Sequence, residues 1–544
     1  MTLRTKQLLP IAVLLAMLSA HAAEPVVDFV VVKSDTLISL SNNVLVSPSA
    51  WREIATLNRL PNPNRIVPGQ VLKIPTRLLR SKALEARIVS ANGDVRVADT
   101  AAVSGATVAE GQQVQTGPAS SAVIELADGS RVRLPPSSLA QVAASRQFGE
   151  RAAGGGAPDG WFAGTLRVLR GSVEVFATKV LRAKPLEVVT PTAVVGVRGT
   201  RYRVSIDDGA NDRTHGEVIE GSVQFDTPKG AAGALLATGF GAAADASGAP
   251  PTVAKLLPAP DLSPVPERFE KPLVRFALPT ETVPLRLQVA ADAAFDKIVL
   301  DQRVEAGGEV RIADLADAQW HLRARRVDVH GIEGYDASRA FVLKARPQPP
   351  AYRTPRADSK QQVGNIEFAW APNAEAPQAR LQIAEDAAFT KIVQERAGLT
   401  DASLRAEITQ PGTYFWRVAS VRASGDQGPF NDVQRFELRP FPSPASVGRS
   451  ADGSALNFKW SGRVQDRQQV ELASDPEFTQ IVAQAELTSA EWAPPVPSRG
   501  GRYYFRYRSV EPDGYVTPFS DKLIVDVPRD WTIWLLLLPL VMLL

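Results

Sequence analysis

Residues 193–204 read AVVGVRGTRYRV, with Gly196 and Gly199 three apart and Arg198, Arg201 and Arg203 within six positions. Backbone amides next to glycine can cradle a phosphate, and clustered guanidinium groups can hold an acidic partner. A phosphate loop continues into Lys, then Ser or Thr, and opens a helix. Neither this stretch nor GGGAPDG at 154–160 does so. DDGAND at 207–212 offers carboxylates to calcium but lacks the alternate-ligand spacing and the closing Glu, so an acidic β-turn fits it better. Glu217 and Glu220 are candidates for an acid–base pair. Three apart on an alternating strand they face opposite ways, and a solvated hairpin accounts for them better. Beyond the first 22 residues the histidines are His215, His321 and His330, too scattered to argue for a metal cluster or a His-activated nucleophile. The residues therefore predict no enzyme, no cofactor and no metal.

A chain of 544 residues must hold several domains. It has no cysteine, which removes disulfides, thiolate metal sites and lipidation on Cys. Residues 1–22 read as a secretory signal: Arg4 and Lys6, a short apolar run at 8–18, then Ala20-His21-Ala22 as a cleavage pattern. The formal net charge is +3, and without Arg4 and Lys6 it is 3 − 2 = +1. Acids and bases are interspersed, so no basic face for nucleic acid is expected. Residues 531–544, WTIWLLLLPLVMLL, form a second apolar run. As a helix it would span about 21 Å against roughly 30 Å of hydrocarbon. Trp531 and Trp534 suit an interface, and the expectation is a membrane-anchoring helix; a buried terminal helix, a processed sorting tail and a truncated chain are the alternatives.

The elements that must position any site begin with residues 28–76. An apolar strand leads into a helix start, SPSAWREIATLN makes a second helix capped by Ser47 with Pro48 at its first position, and VPGQVLKIP is a turn and strand. Trp51, Ile54, Ala55 and Leu57 supply the apolar side of the second helix. On Asp35-Thr36-Leu37, Trp51, Glu53-Ile54-Ala55, Asn58 and NPNRIVPGQVLKIP at 62–75, this segment resembles the LysM domain. The resemblance implies a βααβ fold that binds peptidoglycan or another N-acetylglucosamine glycan. It places the groove between Asp35, Thr36 and Leu37 on one side and Asn62, Pro63, Asn64, Arg65 and Ile66 on the other.

Residues 85–245 change to two-residue alternation. Asn92-Gly93, Asp128-Gly129, Arg170-Gly171 and Glu220-Gly221 stand between the runs as hairpin signals. This predicts a stacked-hairpin all-β unit, with 150–161 as an exposed loop. In 193–204, Val195 and Val197 fall on one apolar face, then Tyr202, Val204 and Ile206, with Gly199 as the bend. Arg201 and Arg203 would point away from that face, toward solvent or a partner, and with Arg198 they are the candidate protein contacts. Gly111, Thr116-Gly117, Ser120-Ser121, ELADGSRVRLPPSS at 125–138, Gly171-Ser172-Val173 and TPTAVVGVRGTRYRV at 190–204 resemble the FecR domain, a periplasmic signalling module. The resemblance implies a protein partner in the envelope of a Gram-negative bacterium. Iron-uptake regulators of that family carry an anti-sigma segment and a membrane span ahead of the domain. Here a signal and a LysM-like domain stand there instead.

A Pro-rich linker at 246–272 follows. Three copies of one pattern come next: LQVAADAAFDKIV at 287–299, LQIAEDAAFTKIV at 381–393 and VELASDPEFTQIV at 470–482. Phe295, Phe389 and Phe478 are 94 and 89 residues apart. Each copy precedes an aromatic-basic strand, WHLRARRV, YFWRVASV or YYFRYRSV, expected to alternate core aromatics with exposed arginines. Repeats of this length predict β-sandwiches at 273–346, 347–440 and 441–528, resembling fibronectin type III domains. The whole is expected to be a mainly β, multidomain, non-catalytic envelope protein that binds peptidoglycan and presents a FecR-type interaction domain. The alternatives are a regulator relaying an envelope signal to a membrane receptor or kinase, and a LysM-targeted cell-wall hydrolase.

Overall fold

The computed structural model describes residues 26–528, apart from 34, 150–160, 180–183, 198, 208–211 and 229–232. The expected signal at 1–22, the tail at 531–544, most of the 150–161 loop and Arg198 lie outside the described residues. The fold is mainly β, in two compact units, Met1–Lys344 and Ala345–Leu544. No helix among the described residues is long and apolar enough to cross a membrane.

The first unit opens with a βααβ domain. Val26–Val30 pairs antiparallel with Val71–Pro75, and helices Leu37–Asn43 and Trp51–Leu57 lie between them in sequence. The first helix is rich in Ser and Asn, poor helix formers, and a capping box holds its start. Ser39 N–H donates to Thr36 Oγ1 at 3.0 Å, while Thr36 N–H donates to Ser39 Oγ at 2.9 Å. Ser47 caps a single 3₁₀ turn, Pro48–Ala50, that opens the second helix. Ile54 and Ala55 join the core and Trp51 packs at its edge, but Leu57 is 48% exposed and does not. Asn58 ties helix to strand: its Nδ2 donates to the carbonyls of Ile54 and Lys73, and its Oδ1 accepts from Lys73 N–H at 2.6 Å. The core runs on into Phe148, Trp161 and Ala163 of the following domain, with the Phe29 and Trp161 rings 5.9 Å apart.

That following domain is two long sheets over one Val-, Leu- and Ile-rich core. Among the described residues one sheet has nine strands and includes Arg131–Leu134, Ser172–Phe176, Arg201–Ile206 and Thr214–Glu220. The other has ten, nine on its main path and Ser81–Ala83 beside it on Leu139–Phe148, and includes Val95–Val97, Trp161–Arg170, Val194–Val197 and Ser222–Asp226. Hairpins build both sheets, but of the four turn dipeptides read from the sequence only Asp128-Gly129 closes one. At Asn92-Gly93, Arg170-Gly171 and Glu220-Gly221 the chain steps from one sheet to the other. Hairpin and step both need a positive φ, so the same dipeptide serves either. At Gly171 (φ +75°) an added Cβ would sit 2.6 Å from Ser138 Oγ and 2.9 Å from its Cα, so a side chain is excluded by space as well as by conformation. Gly199 (φ +65°) is likewise the step between Val194–Val197 and Arg201–Ile206. Val195, Val197, Tyr202 and Val204 all enter the shared core, as the alternation predicts, with Ile206 packed at its edge.

Each repeat is a β-sandwich. The first has sheets of five and two strands and belongs to the first unit; the second (six and three) and third (four and three) form the second. The repeated motif is a turn closed by its aspartate. Asp292, Asp386 and Asp475 accept the backbone N–H groups four and five residues on, at 2.6–3.2 Å. Phe295, Phe389 and Phe478 sit in this turn at φ +60°, +59° and +59°. A left-handed Phe costs about 1–3 kcal/mol and persists only where its surroundings over-determine it. The turn does so from one side. From the other an arginine of the aromatic-basic strand stacks on the ring: Arg323 on Phe295 at 4.5 Å, Arg417 on Phe389 at 4.0 Å and Arg506 on Phe478 at 3.9 Å. These arginines are therefore packed rather than exposed, which corrects the simple in–out alternation. The strand aromatics Trp320, Trp416, Phe505 and Tyr507 are buried as expected.

Candidate functional site

Two regions carry the candidate residues. In the βααβ domain, Val30 pairs with Val71, so the residues after the first strand and those before the second lie at the same end. Val31 N–H donates to Gln70 O at 2.9 Å, and Gly69 N–H to Val31 O at 2.8 Å. The Asp35–Leu37 turn and the 62–66 loop are thereby brought to one end of the domain. Asp35 Oδ2 accepts from Val32 N–H at 2.8 Å, and Asn62 Oδ1 from Asn64 N–H at 2.9 Å, so both side chains shape their own loops. Thr36, Asn62, Asn64 and Arg65 are exposed, while Pro63 and Ile66 are half-buried. Leu37 is 3% exposed and belongs to the core beneath, not to a groove surface. What remains is a polar loop pair with exposed amide, hydroxyl and guanidinium groups, suited to sugar hydroxyls and acetamides.

The second region is the outer face of the nine-stranded sheet. Alternation directs Arg203 away from Tyr202 and Val204, yet Arg203 is only 3% exposed. The first sandwich covers it. Arg203 Nη2 donates to Gly334 O at 2.6 Å and Glu333 O at 3.1 Å, and Nη1 to Asp336 Oδ1 at 3.1 Å. Arg201 stays about one-third exposed, pairing with Glu174 Oε1 at 2.8 Å while its guanidinium lies over Phe176. The partner of this face is thus, at Arg203, a later segment of the same chain.

Ion pairs make up much of the joint, beside a small apolar patch of Ala243, Leu256 and Ile332. Glu174 accepts from Arg133 Nη1 at 2.5 Å and pairs with Arg323 at 3.3 Å. Arg286 reaches Asp301, Glu333 Oε1 (2.7 Å) and Ser172 Oγ (3.1 Å). Arg133 also donates to Ala294 O and Asp296, and Arg325 pairs with Glu333 and Asp336. Burial alone would raise the Glu174 carboxyl, but Arg323, Arg133 and Arg201 outweigh it and hold it well below the usual carboxylate range. Glu333 is likewise held low against burial by Arg325, Arg286 and Arg203. Glu217 goes the other way. It is 1% exposed, not solvated as the sequence suggested, and burial with the neighbouring Glu333 charge pushes it up to about 7.

The sequence reading missed Glu174, Arg133, Arg286, Arg323, Arg325, Glu333 and Asp336. One signal was there. The 331–336, 425–430 and 514–519 segments align on Gly331, Gly425 and Gly514, each of which donates its N–H to the carbonyl three residues earlier. That alignment sets Asp336 opposite Phe430 and Phe519, which stack on Arg417 and Arg506 at 4.3 and 3.9 Å. Repeats two and three thus cap their arginines with an aromatic ring. The first repeat presents a carboxylate there and takes Arg203. Among the described residues no group of three or more His, Asp or Glu side chains could hold a metal.

Residues 29–75 match the family model described as LysM domain, and residues 112–224 that described as FecR protein. The chain therefore carries a LysM domain followed by a FecR domain. No curated protein matches it. Among solved structures it is similar to a candidate anti-sigma factor from Parabacteroides distasonis, at 15% identity, covering 26% of this chain and 59% of that one, TM-score 0.21. The chain thus spans under two thirds of that protein. Domains FN1–FN3 of chicken CNTN1 match at 12% identity over 48% of this chain and 96% of theirs, TM-score 0.21. Fibronectin(III)-like modules of Clostridium thermocellum CbhA match at 11% identity over 32% and 93%, TM-score 0.21.

Proposed function

We propose that this is an exported, non-catalytic cell-envelope protein whose LysM domain binds the N-acetylglucosamine glycan of peptidoglycan. The FecR domain, locked to the first sandwich, is its signalling or protein-contact module in the periplasm. The LysM match over 29–75, with both candidate loops at one end of the domain, carries the reading. The groove is formed by Asp35, Thr36, Asn62, Pro63, Asn64, Arg65 and Ile66. Arg201, the half-open arginine of the FecR face, is the remaining contact candidate there. The apolar run at 531–544, with Trp531 and Trp534, attaches the C-terminus to a membrane. Sedimentation with purified peptidoglycan tests the tether: the protein co-sediments, and a chain lacking residues 28–75 does not. Equal recovery of both refutes it.

A second reading, a regulator passing an envelope signal to a membrane receptor or kinase, is favoured by the ionic joint. It makes the FecR domain and the first sandwich move together. Crosslinking in intact cells, followed by identification of the bound protein, tests it. A receptor or kinase supports relay, and recovery of glycan alone refutes it.

A further inference from the structure

A cavity of about 340 Å³ opens where the FecR domain meets the first sandwich. His215 forms part of its wall and is 1% exposed. Its Nε2 lies 3.0 Å from the carbonyl of His330, which can only accept, so Nε2 carries the proton. Burial keeps the imidazole from taking a second proton, its pKa being lowered against the pull of Asp207. Nδ1 is therefore a bare lone pair, with no hydrogen bond among the described residues. Asp207, also in the wall, places Oδ1 3.7 Å from it. Two acceptors facing each other at that separation are too far apart to bond and repel unless a donor lies between them. One ammonium group bonds both at ordinary distances and brings the charge that Asp207 lacks there. A metal ion would find only two ligands, short of its usual set. Ser137 and Arg303, elsewhere in the wall, offer donors to oxygens on the rest of a ligand.

We propose that this cavity binds a small molecule bearing a primary ammonium and nearby oxygen acceptors, an amino acid or an amino sugar, with the ammonium between His215 Nδ1 and Asp207. The walls come from both domains, so the ligand clamps the joint. The proposal does not rest on glycan binding by the LysM loops.

The full-length protein, labelled with ¹⁵N-histidine, is titrated with glucosamine, with alanine and with N-acetylglucosamine, which lacks the ammonium. The His215 Nδ1 resonance is assigned by its loss in His215→Gln, and heats are measured in parallel. Saturable binding of glucosamine, alanine or both, shifting Nδ1, is expected. Which of the two binds distinguishes the sources. Asp207→Asn changes an exposed side chain, and unchanged thermal unfolding shows that it folds. It should weaken amine binding about tenfold or more, the loss of one charge-assisted bond. No saturable amine binding up to millimolar concentration, binding indifferent to Asp207→Asn, or an equal Nδ1 shift with N-acetylglucosamine overturns the proposal.

Discussion

Glu174→Ala removes the carboxylate on which three arginines converge. Arg133 and Arg323 are buried with it, their side chains 7% and 6% exposed, whereas Arg201 is one-third exposed and can turn to water. Breaking a buried pair by deleting one partner costs about 3–5 kcal/mol, because the charge left behind is uncompensated. Here Arg133 keeps Asp296, and Arg323 keeps Gln288 and a distant Asp336. The loss should therefore fall near the lower end, about 3 kcal/mol. Glu174→Gln keeps the shape and one acceptor and should cost less. Hydrogen exchange read by mass spectrometry over 201–206 and 318–326 is the assay, since both strands lose protection together if the joint opens. The pH dependence adds a second check. The folded carboxyl lies below its ordinary 4.5, so its contribution is present above that value and drains away as pH falls toward the folded one. In Glu174→Ala that acid-side loss should shrink. Unchanged protection of 318–326 in Glu174→Ala at neutral pH would refute the ionic joint.

Glu217 predicts the opposite slope. Its folded value near 7 lies above the ordinary 4.5, so its stabilisation is complete below about 4.5 and is lost as pH rises through 7, by about 3 kcal/mol at most. Glu217→Gln should flatten thermal stability between pH 5 and 8, and a persisting slope refutes the assignment. Val204→Asp buries a charge in the shared core and should cost more than about 4 kcal/mol, unfolding the FecR domain in a melting experiment. Arg203→Ala should loosen the joint by hydrogen exchange, whereas Arg201→Ala should leave it closed. Thr36→Ala removes a capping box and should cost the LysM domain about 1 kcal/mol, read as faster exchange in the first helix.

Strand positions, the three repeats and the inward faces of Val195, Val197, Tyr202 and Val204 were legible because period-two alternation with a Val- and Leu-rich face has one stable outcome, a shared core. The connections were less so. Asn-Gly and Arg-Gly specify a positive φ, and only the sheet topology says whether the chain turns back or crosses over. The arginine face was half legible. Alternation shows correctly that Arg203 leaves the core, but whether water or another domain waits outside depends on residues 130 positions away. Asp336 held that information, yet it stands out only once the glycine-anchored turns align it with Phe430 and Phe519. Leu37 misled for a related reason: it lies in the Asp-Thr-Leu motif, but as the first helical residue it points inward.

In the function proposed above, the chain grips peptidoglycan without cutting it. The direct measurement incubates the purified protein with intact sacculi, then quantifies both the protein pelleted and the muropeptides released into the supernatant. Saturable pelleting that depends on residues 28–75, with no release above a protein-free control, is predicted. Release of muropeptides, or pelleting that survives loss of that segment, would contradict the account.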